Sequence, residues 1–350
     1  MKVLVKGALL LAASAMMVSS VYAKGMELES MKANTTNAFD ANDAVWAKAK
    51  ELVVVLDQTP YKPDGFKGIT KTTATLKSIY DDKNMYLYMQ YDDPTMSDAR
   101  FPWEKQADGS WKKLVSKDQT GHENDFYEDK AGVYWDISAK GFAKKGCAIA
   151  CHVTKDGMNN GVADTSAGRK YTRKDGEFID MWHWKGVRTG MPFKLSHDQY
   201  VDNNTNPKNN GGNWGRWGDE KLGGGYKNNE TEDKKMPAFM NPNGEFMNGF
   251  VLDATKVPFV DTFKAGDRVP GIVVSKMSGS AADIETNHEY KNGKWTLVFK
   301  RALVTEHPKS ATQDVQFNDL KKPYYFGVSV FDNTQINHMY HDGSIKLLFK

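Results

Sequence analysis

Two cysteines spaced by three residues and followed at once by a histidine constrain this chain more than any other feature: Cys147-Ala148-Ile149-Ala150-Cys151-His152. A cysteine pair running straight into histidine is how a protein holds haem covalently. The two thiols add across the two vinyl groups of the porphyrin, and the adjacent imidazole reaches the iron. The usual spacing is two residues; three is a rarer variant. These are the only two cysteines in the chain, so a disulfide is the plain alternative in an exported protein. Such a loop would be short and would constrain the unfolded chain little. Nothing in a disulfide requires His152. Zinc is a weaker alternative, because no second ligand pair sits nearby at zinc-like spacing.

The first residues point to export. Met1-Lys2-Val3-Leu4-Val5-Lys6 is a short basic start, residues 7–21 are apolar or small, and Val21-Tyr22-Ala23 closes the segment with small residues where a signal peptidase reads. This pattern predicts a secretory signal peptide over residues 1–23, cleaved after Ala23, and a periplasmic protein. The apolar stretch is short for a membrane span, and no later window approaches twenty apolar residues. Cleavage removes two lysines and no acid, taking the formal charge from +3 to +1. That balance argues against nucleic acid as a partner. Residues 24–350 are long enough to bury a substantial core, and they are read as a single domain.

Short strand signals dominate that domain. Asn42 to Leu52 has helical spacing, and Leu52 to Leu56 reads as a buried strand. Thr73 to Tyr80 and Met85 to Tyr91 flank a polar turn and read as a hairpin. Further strands are expected at Gly132–Ile137, Asp180–Val187, Val269–Ser275, Ala282–Tyr290, Lys294–Arg301, Tyr325–Phe331 and Ile345–Phe349. Asn292-Gly293 is a strong hairpin turn between two of them. The pattern predicts a mainly β fold, an antiparallel β-sandwich with short helices and long loops. Asn203–Lys235, rich in Gly and Asn yet holding Trp214, Trp217 and Tyr226, reads as a polar surface insertion. Asn34-Thr35-Thr36 matches a glycosylation sequon in what reads as a frayed start of the mature chain.

Several segments together resemble a known family. They are Tyr80-Asp81-Asp82-Lys83-Asn84-Met85-Tyr86-Leu87, Asp180-Met181-Trp182-His183-Trp184-Lys185, Gly266-Asp267-Arg268-Val269-Pro270-Gly271, Gly293-Lys294-Trp295 leading to Lys300-Arg301-Ala302-Leu303, and Phe326-Gly327-Val328-Ser329-Val330-Phe331-Asp332-Asn333. In this order, from about Val45 to the end, the chain resembles haem-binding subunits related to the ethylbenzene dehydrogenase gamma subunit and the dimethyl sulfoxide reductase-type haem-binding domain. The resemblance implies a β-sandwich holding one haem at a sheet edge and passing single electrons. In the gamma subunits the haem is non-covalent and ligated by methionine and lysine. Here the region that corresponds to their methionine holds Cys151-His152, so the chain resembles a covalent, c-type branch with His152 as first ligand.

The second ligand stays open. The resemblance places it near the C-terminus, where Asn337-His338-Met339-Tyr340-His341 offers His338 first and His341 second. His183 and Met158 are further alternatives. Met191, Met236 and Met240 are better explained as core filler. A second histidine would favour a lower potential and a methionine a higher one. Trp182, Trp184 and Tyr134 are candidate pocket walls, His183 can pack beside the porphyrin, and Lys185 and Arg188 are candidate partners of the haem propionates. Asp81-Asp82 and Asp92-Asp93 are acidic pairs that hairpin turns explain without calcium. No phosphate-binding loop, dinucleotide fingerprint, nucleophile elbow or zinc-protease motif appears.

These features predict one covalent haem c in an electron-transfer protein that is not itself an enzyme. Cys147 and Cys151 tether, His152 ligates, and His338 completes the iron. Its partners would be redox proteins. The alternatives are a fixed electron-relay subunit of a molybdenum oxidoreductase and a haem-based sensor or ligand-binding protein.

Overall fold

The computed structural model describes residues 26–33, 37–60, 68–115, 125–150, 170–204, 215–244 and 249–350, together with the backbone of 158–159 and 162–163. The signal-peptide segment, Cys151, His152, Trp214, the sequon at 34–36 and the Met158 side chain lie outside the described residues.

Thirteen strands make the main sheet. Numbered along the chain they are β1 (Met26–Lys32), β2 (Leu52–Leu56), β3 (Thr72–Tyr80), β4 (Asn84–Asp92), β5 (Lys130–Asp136), β6 (Ile179–Lys185), β7 (Ser196–Val201), β8 (Arg216–Gly218), β9 (Glu285–Lys291), β10 (Lys294–Ala302), β11 (Tyr324–Phe331), β12 (Met339–Tyr340) and β13 (Ile345–Phe349). The order across the sheet is β8-β7-β6-β5-β11-β13-β1-β3-β4-β10-β9, with β2 on β3 and β12 on β11. Within this sheet the ladders are antiparallel except those of β1, which runs parallel to both β13 and β3. The β9–β10 hairpin turns at Asn292-Gly293, both at positive φ (54° and 72°), as a two-residue turn matched to strand twist requires.

The sheet curls until its two flanks face each other, which makes the sandwich. Trp184 of β6 meets Trp295 of β10 edge-on at 4.9 Å. Trp182 of β6 lies 6.2 Å from Phe299 of β10. Trp135 of β5 stacks on Phe326 of β11 at 4.5 Å. These rings share one core with Leu76 of β3 and Met85, Leu87 and Met89 of β4. Because a strand alternates faces with every residue, the other side chains of β5 and β6 must point away from this core. That second face carries the candidate site.

Four expectations are corrected here. Leu52–Leu56 forms an edge strand, not a buried one: Val53 and Val55 are 54% and 45% exposed, since β2 pairs with β3 alone. The helical spacing from Asn42 yields one 3-10 turn, Ala44–Ala47, capped by Asp43. Met26–Lys32 is not frayed; it lies between β13 and β3 with Leu28 and Ser30 buried. Asn203–Lys235 is not simply a surface excursion among its described residues. Arg216–Gly218 extends the sheet beside β7, and Gly223–Asn228 pairs with Ile272–Ser278. No described helix is long and apolar enough to cross a membrane.

Candidate functional site

The register of β11, β5, β6 and β7 lays out three rows on the face opposite the core. Gly327, Tyr134, Met181 and Gln199 form the first. Ser329, Gly132, His183 and His197 form the second. Phe331, Lys130 and Lys185 form the third. Gly132 and Gly327 let neighbouring groups come close to this face. A Cβ on Gly132 would come within 2.9 Å of Ser329 Oγ, and one on Gly327 within 3.6 Å of Cys147. Glycine in a strand interior marks close approach of another group.

Cys147 closes one end of the face. It is buried in an apolar cluster with Tyr134, Phe142, Ile149, Ala150, Ile179, Met181 and Val201, against which Tyr325 and Tyr340 pack. The short helical turn Phe142–Lys145 leads into a 3-10 turn, Gly146–Ile149, that presents the thiol. Gly146 holds φ +59, and a Cβ there would sit 1.8 Å from the carbonyl oxygen of Gly343. Only glycine fits, so the loop before β13 sets where Cys147 begins.

The other end is cationic and buried. Lys130 and Lys185 are 2% and 7% exposed. Lys130 Nζ donates to the Gln335 carbonyl at 2.8 Å and lies 4.1 Å from the Phe331 ring centroid. Lys185 Nζ donates to His197 Nδ1 at 2.8 Å. Burial pushes both ammonium groups well below their usual range, and the nearby charges of Arg188 and Arg216 push the same way. Lys170, buried with its Nζ 5.2 Å from the Tyr134 ring, adds to the pressure on Lys130. Among the described residues the carboxylate that pulls against this group is Glu128. Burial alone would raise its carboxyl, but Arg188, Arg100 and Lys130 hold it low. Arg188 Nε pairs with Glu128, whose Oε2 also accepts from the Val187 and Arg188 backbone at 2.7 and 3.0 Å.

Histidines lie between the two ends. The rings of His183, Phe331, His338 and Tyr340 run in series at 5.9, 4.7 and 5.8 Å. His338 Nδ1 is 2.8 Å from the Ile336 carbonyl. A carbonyl only accepts, so Nδ1 carries the proton and Nε2 the lone pair. This is the backbone-anchored tautomer that metal-ligating histidines adopt. His183 Nδ1 meets Gln199 Oε1 at 3.0 Å, and its buried Nε2 has no hydrogen-bond partner. His341 differs. Its Nε2 accepts from the Val328 backbone at 3.1 Å and its Nδ1 meets the Asp342 carbonyl at 3.3 Å, so both nitrogens are engaged.

The structure therefore gathers Cys147, Tyr134, His183, Lys185 and His338 on one face. Arg188 borders them from the helical turn Gly186–Gly190 that follows β6. Trp182 and Trp184 are corrected as pocket walls. They occupy the alternate positions of β6 and pack in the core, Trp182 beside Trp135 at 5.2 Å. Sequence reading missed Lys130, Lys170, His197, Arg216 and Glu128. A lysine opening a strand usually belongs to a solvated end, and only the Lys130-Gly132-Tyr134 alternation hinted otherwise.

A face that is apolar beside a buried thiol and cationic at its far end, with imidazoles between, suits a flat apolar ring carrying carboxylates along one edge. The family described as "Ethylbenzene dehydrogenase" matches residues 43–343. No curated protein matches the chain. Two solved structures of a family 9 carbohydrate-binding module from Caldicellulosiruptor kristjanssonii are similar over 93% of this chain. The complex with cellotriose has 9% identity, 94% of that chain covered and a TM-score of 0.32. The complex with glucose has 8%, 96% and 0.33. Values this low carry no argument about ligand or activity.

Proposed function

Because this chain belongs to the ethylbenzene dehydrogenase family, we propose that it is the haem-bearing electron-relay partner of a molybdenum oxidoreductase. In this reading one haem c is tethered by Cys147 and Cys151, ligated by His152 and His338, and carried outside the cytoplasm. One observation carries the reading: the face behind β5 and β6 divides into an apolar end at Cys147 and a buried cationic end at Lys130 and Lys185. Buried cations without matching carboxylates are costly, and a ligand with two carboxylates on one edge offsets that cost.

Bound haem supplies reversible one-electron exchange at its iron. The chain supplies the rest. Gly132 and Gly327 let Ser329, His341 and Cys147 pack closely against the sheet, which brings the thiol onto this face. Tyr134, Met181 and Tyr340 exclude water from the apolar part of the haem. Lys130 and Lys185 balance its carboxylates. Ile336 holds the His338 ring in the tautomer whose Nε2 carries the lone pair. With both its nitrogens engaged, His341 is the weaker choice of ligand; His183, with an unpartnered Nε2, is the stronger alternative.

The test uses full-length protein made in a host that assembles c-type cytochromes. Mass spectrometry is expected to show the mature chain plus one iron porphyrin that survives acidic acetone. Reduced spectra are expected to be six-coordinate and indifferent to carbon monoxide. His338→Ala should open a site that binds it, whereas His341→Ala should not. A mass equal to the polypeptide alone overturns the haem assignment. Migration only as a free monomer, both in native extract and when mixed with a molybdenum oxidoreductase from the same source, overturns the relay role and leaves a diffusing shuttle.

A further inference from the structure

On β7 the odd positions His197 and Gln199 face the candidate haem side, and Asp198 points to the other. Its side chain is fully buried, and neither carboxylate oxygen has a hydrogen-bond partner. Three more aspartates converge there from distant parts of the chain. Asp219 follows β8, is 4% exposed and also has two unpartnered oxygens. Asp283 precedes β9 and Asp314 precedes β11; each leaves Oδ1 unpartnered. One oxygen each of Asp198, Asp283 and Asp314 lies within 4.8 Å of the others, and the same holds for Asp219, His307 and Asp314. Asp314 belongs to both sets. Its Oδ2 is held by Thr305 and by His307 Nε2 at 2.8 Å.

We propose that Asp198, Asp219, Asp283 and Asp314 bind one calcium ion that ties β7 and β8 to the segments entering β9 and β11. Buried polar atoms in folded proteins nearly always have a partner, and here six carboxylate oxygens lack one. Calcium takes six to eight oxygens at about 2.4 Å, so ligands of one ion stand roughly 3.4 to 4.8 Å apart. The oxygens of each set lie within that upper limit of one another. A neutral oxygen supplements the carboxylates. Gln313 Oε1, beside Asp314 and 4% exposed, is also unpartnered. The Gln313 side chain bonds the hydroxyl of Tyr200, which lies two residues along β7 on the same side as Asp198. Nearby compensation is small. The Arg301 guanidinium is engaged with Asp180 at 2.9 Å, and His307 is the other cationic candidate in contact. His307 Nε2 is already engaged with Asp314 Oδ2 at 2.8 Å, so the remaining donors are oxygens, which favour a hard cation over zinc or copper.

This inference is independent of the haem, and its test reads metal and stability. Full-length protein is stripped with EGTA, equilibrated with calcium, desalted and analysed by plasma mass spectrometry. One calcium per chain should be retained. The melting midpoint should fall by about 5 °C in EGTA and recover with calcium but not with equal magnesium. Asp198→Asn and Asp283→Asn should each abolish retention and the response to EGTA. Asp283 is partly exposed, so its variant serves if the Asp198 variant does not fold. Absent calcium with a melt indifferent to EGTA overturns the proposal. So does Asp198→Asn melting above wild type at pH 8 with no calcium response, which would mean that the oxygens share protons. Equal recovery with magnesium overturns the choice of ion.

Discussion

Gly146 shows how one residue can place a chemistry. Its positive φ and its 1.8 Å conflict with the Gly343 carbonyl, were a Cβ present, mean that any side chain pushes the following turn off the sheet. Cys147 would move with it. Gly146→Ala is therefore expected to lower the yield of covalently loaded protein several-fold, read as haem-stained band per chain, while Gly109→Ala, at a positive φ with nothing near, leaves the yield unchanged. Lys185 gives a pH-dependent prediction. Burial first, then Arg188, hold its ammonium well below the usual value. A depressed lysine binds fewer protons folded than unfolded, so stability rises with pH between the depressed value and the ordinary one near 10.5. Lys185→Met in the haem-free protein should thus melt above wild type at pH 7, by about 2 kcal/mol. The gap should close as pH approaches 10. Urea midpoints across that range measure it, and a gap that stays constant would contradict the assigned burial cost.

At the scale of the element, alternation along β6 separates two jobs. Asp180, Trp182 and Trp184 build the core; Met181, His183 and Lys185 build the site. The helical turn Gly186–Gly190 then folds back so closely that a Cβ on Gly190 would stand 2.1 Å from Trp184 Nε1. Gly190→Ala should cost about 1–3 kcal/mol, measured by chemical denaturation. Three strand ends meet elsewhere: Asp93 after β4, Asp129 before β5 and Asp332 after β11, with oxygens within 4.8 Å of one another. Burial, then Asp332, push the Asp93 carboxyl up to about 7. A raised carboxyl contributes stability that is full below about 4 and lost as pH rises through about 7. Asp93→Asn should therefore melt above wild type at pH 8, with the difference shrinking as pH falls and vanishing only near pH 4. The strands themselves were legible, because period-two alternation and the Asn292-Gly293 turn are local signals. The cysteine spacing is a local signal too. What was not legible depends on partners far along the chain. Nothing local says that Trp182 faces Phe299 while His183 faces Phe331, since a one-residue shift in register would exchange them. The burial of Lys130 and the meeting of Asp198 with Asp314 have the same origin.

For the molecule as a whole, closure of the curled sheet depends on a few contacts between its flanks. The fully buried Arg301 of β10 donates to Asp180 of β6 at 2.9 Å, and that same oxygen accepts from Trp182 Nε1 and the Val315 backbone at 3.0 Å each. Burial pushes the Asp180 carboxyl up to about 8 and Arg301 pulls it back, while Asp180 holds the Arg301 guanidinium above its usual value, so their attraction offsets part of the cost of burying both. Removing one partner strands the other: Arg301→Met should cost about 3–5 kcal/mol, whereas Lys346→Met, which breaks an exposed pair with Glu27, should cost under about 1 kcal/mol. Denaturant midpoints of the two variants test the contrast.

The seating of β1 between β13 and β3 also sets an order of events. Met26 pairs with Ile345 and Ser30 with Phe349, so the middle of the sheet cannot form until nearly all of the polypeptide has been delivered. Contacts of such long range are slow to find. Until then the segment bearing Cys147 has no β11–β13 wall to close against, and its thiol stays reachable for the proposed attachment of haem. Under that proposal the architecture would work as a timer, in which the pairing of Ile345–Phe349 with Met26–Ser30 ends the interval for modification.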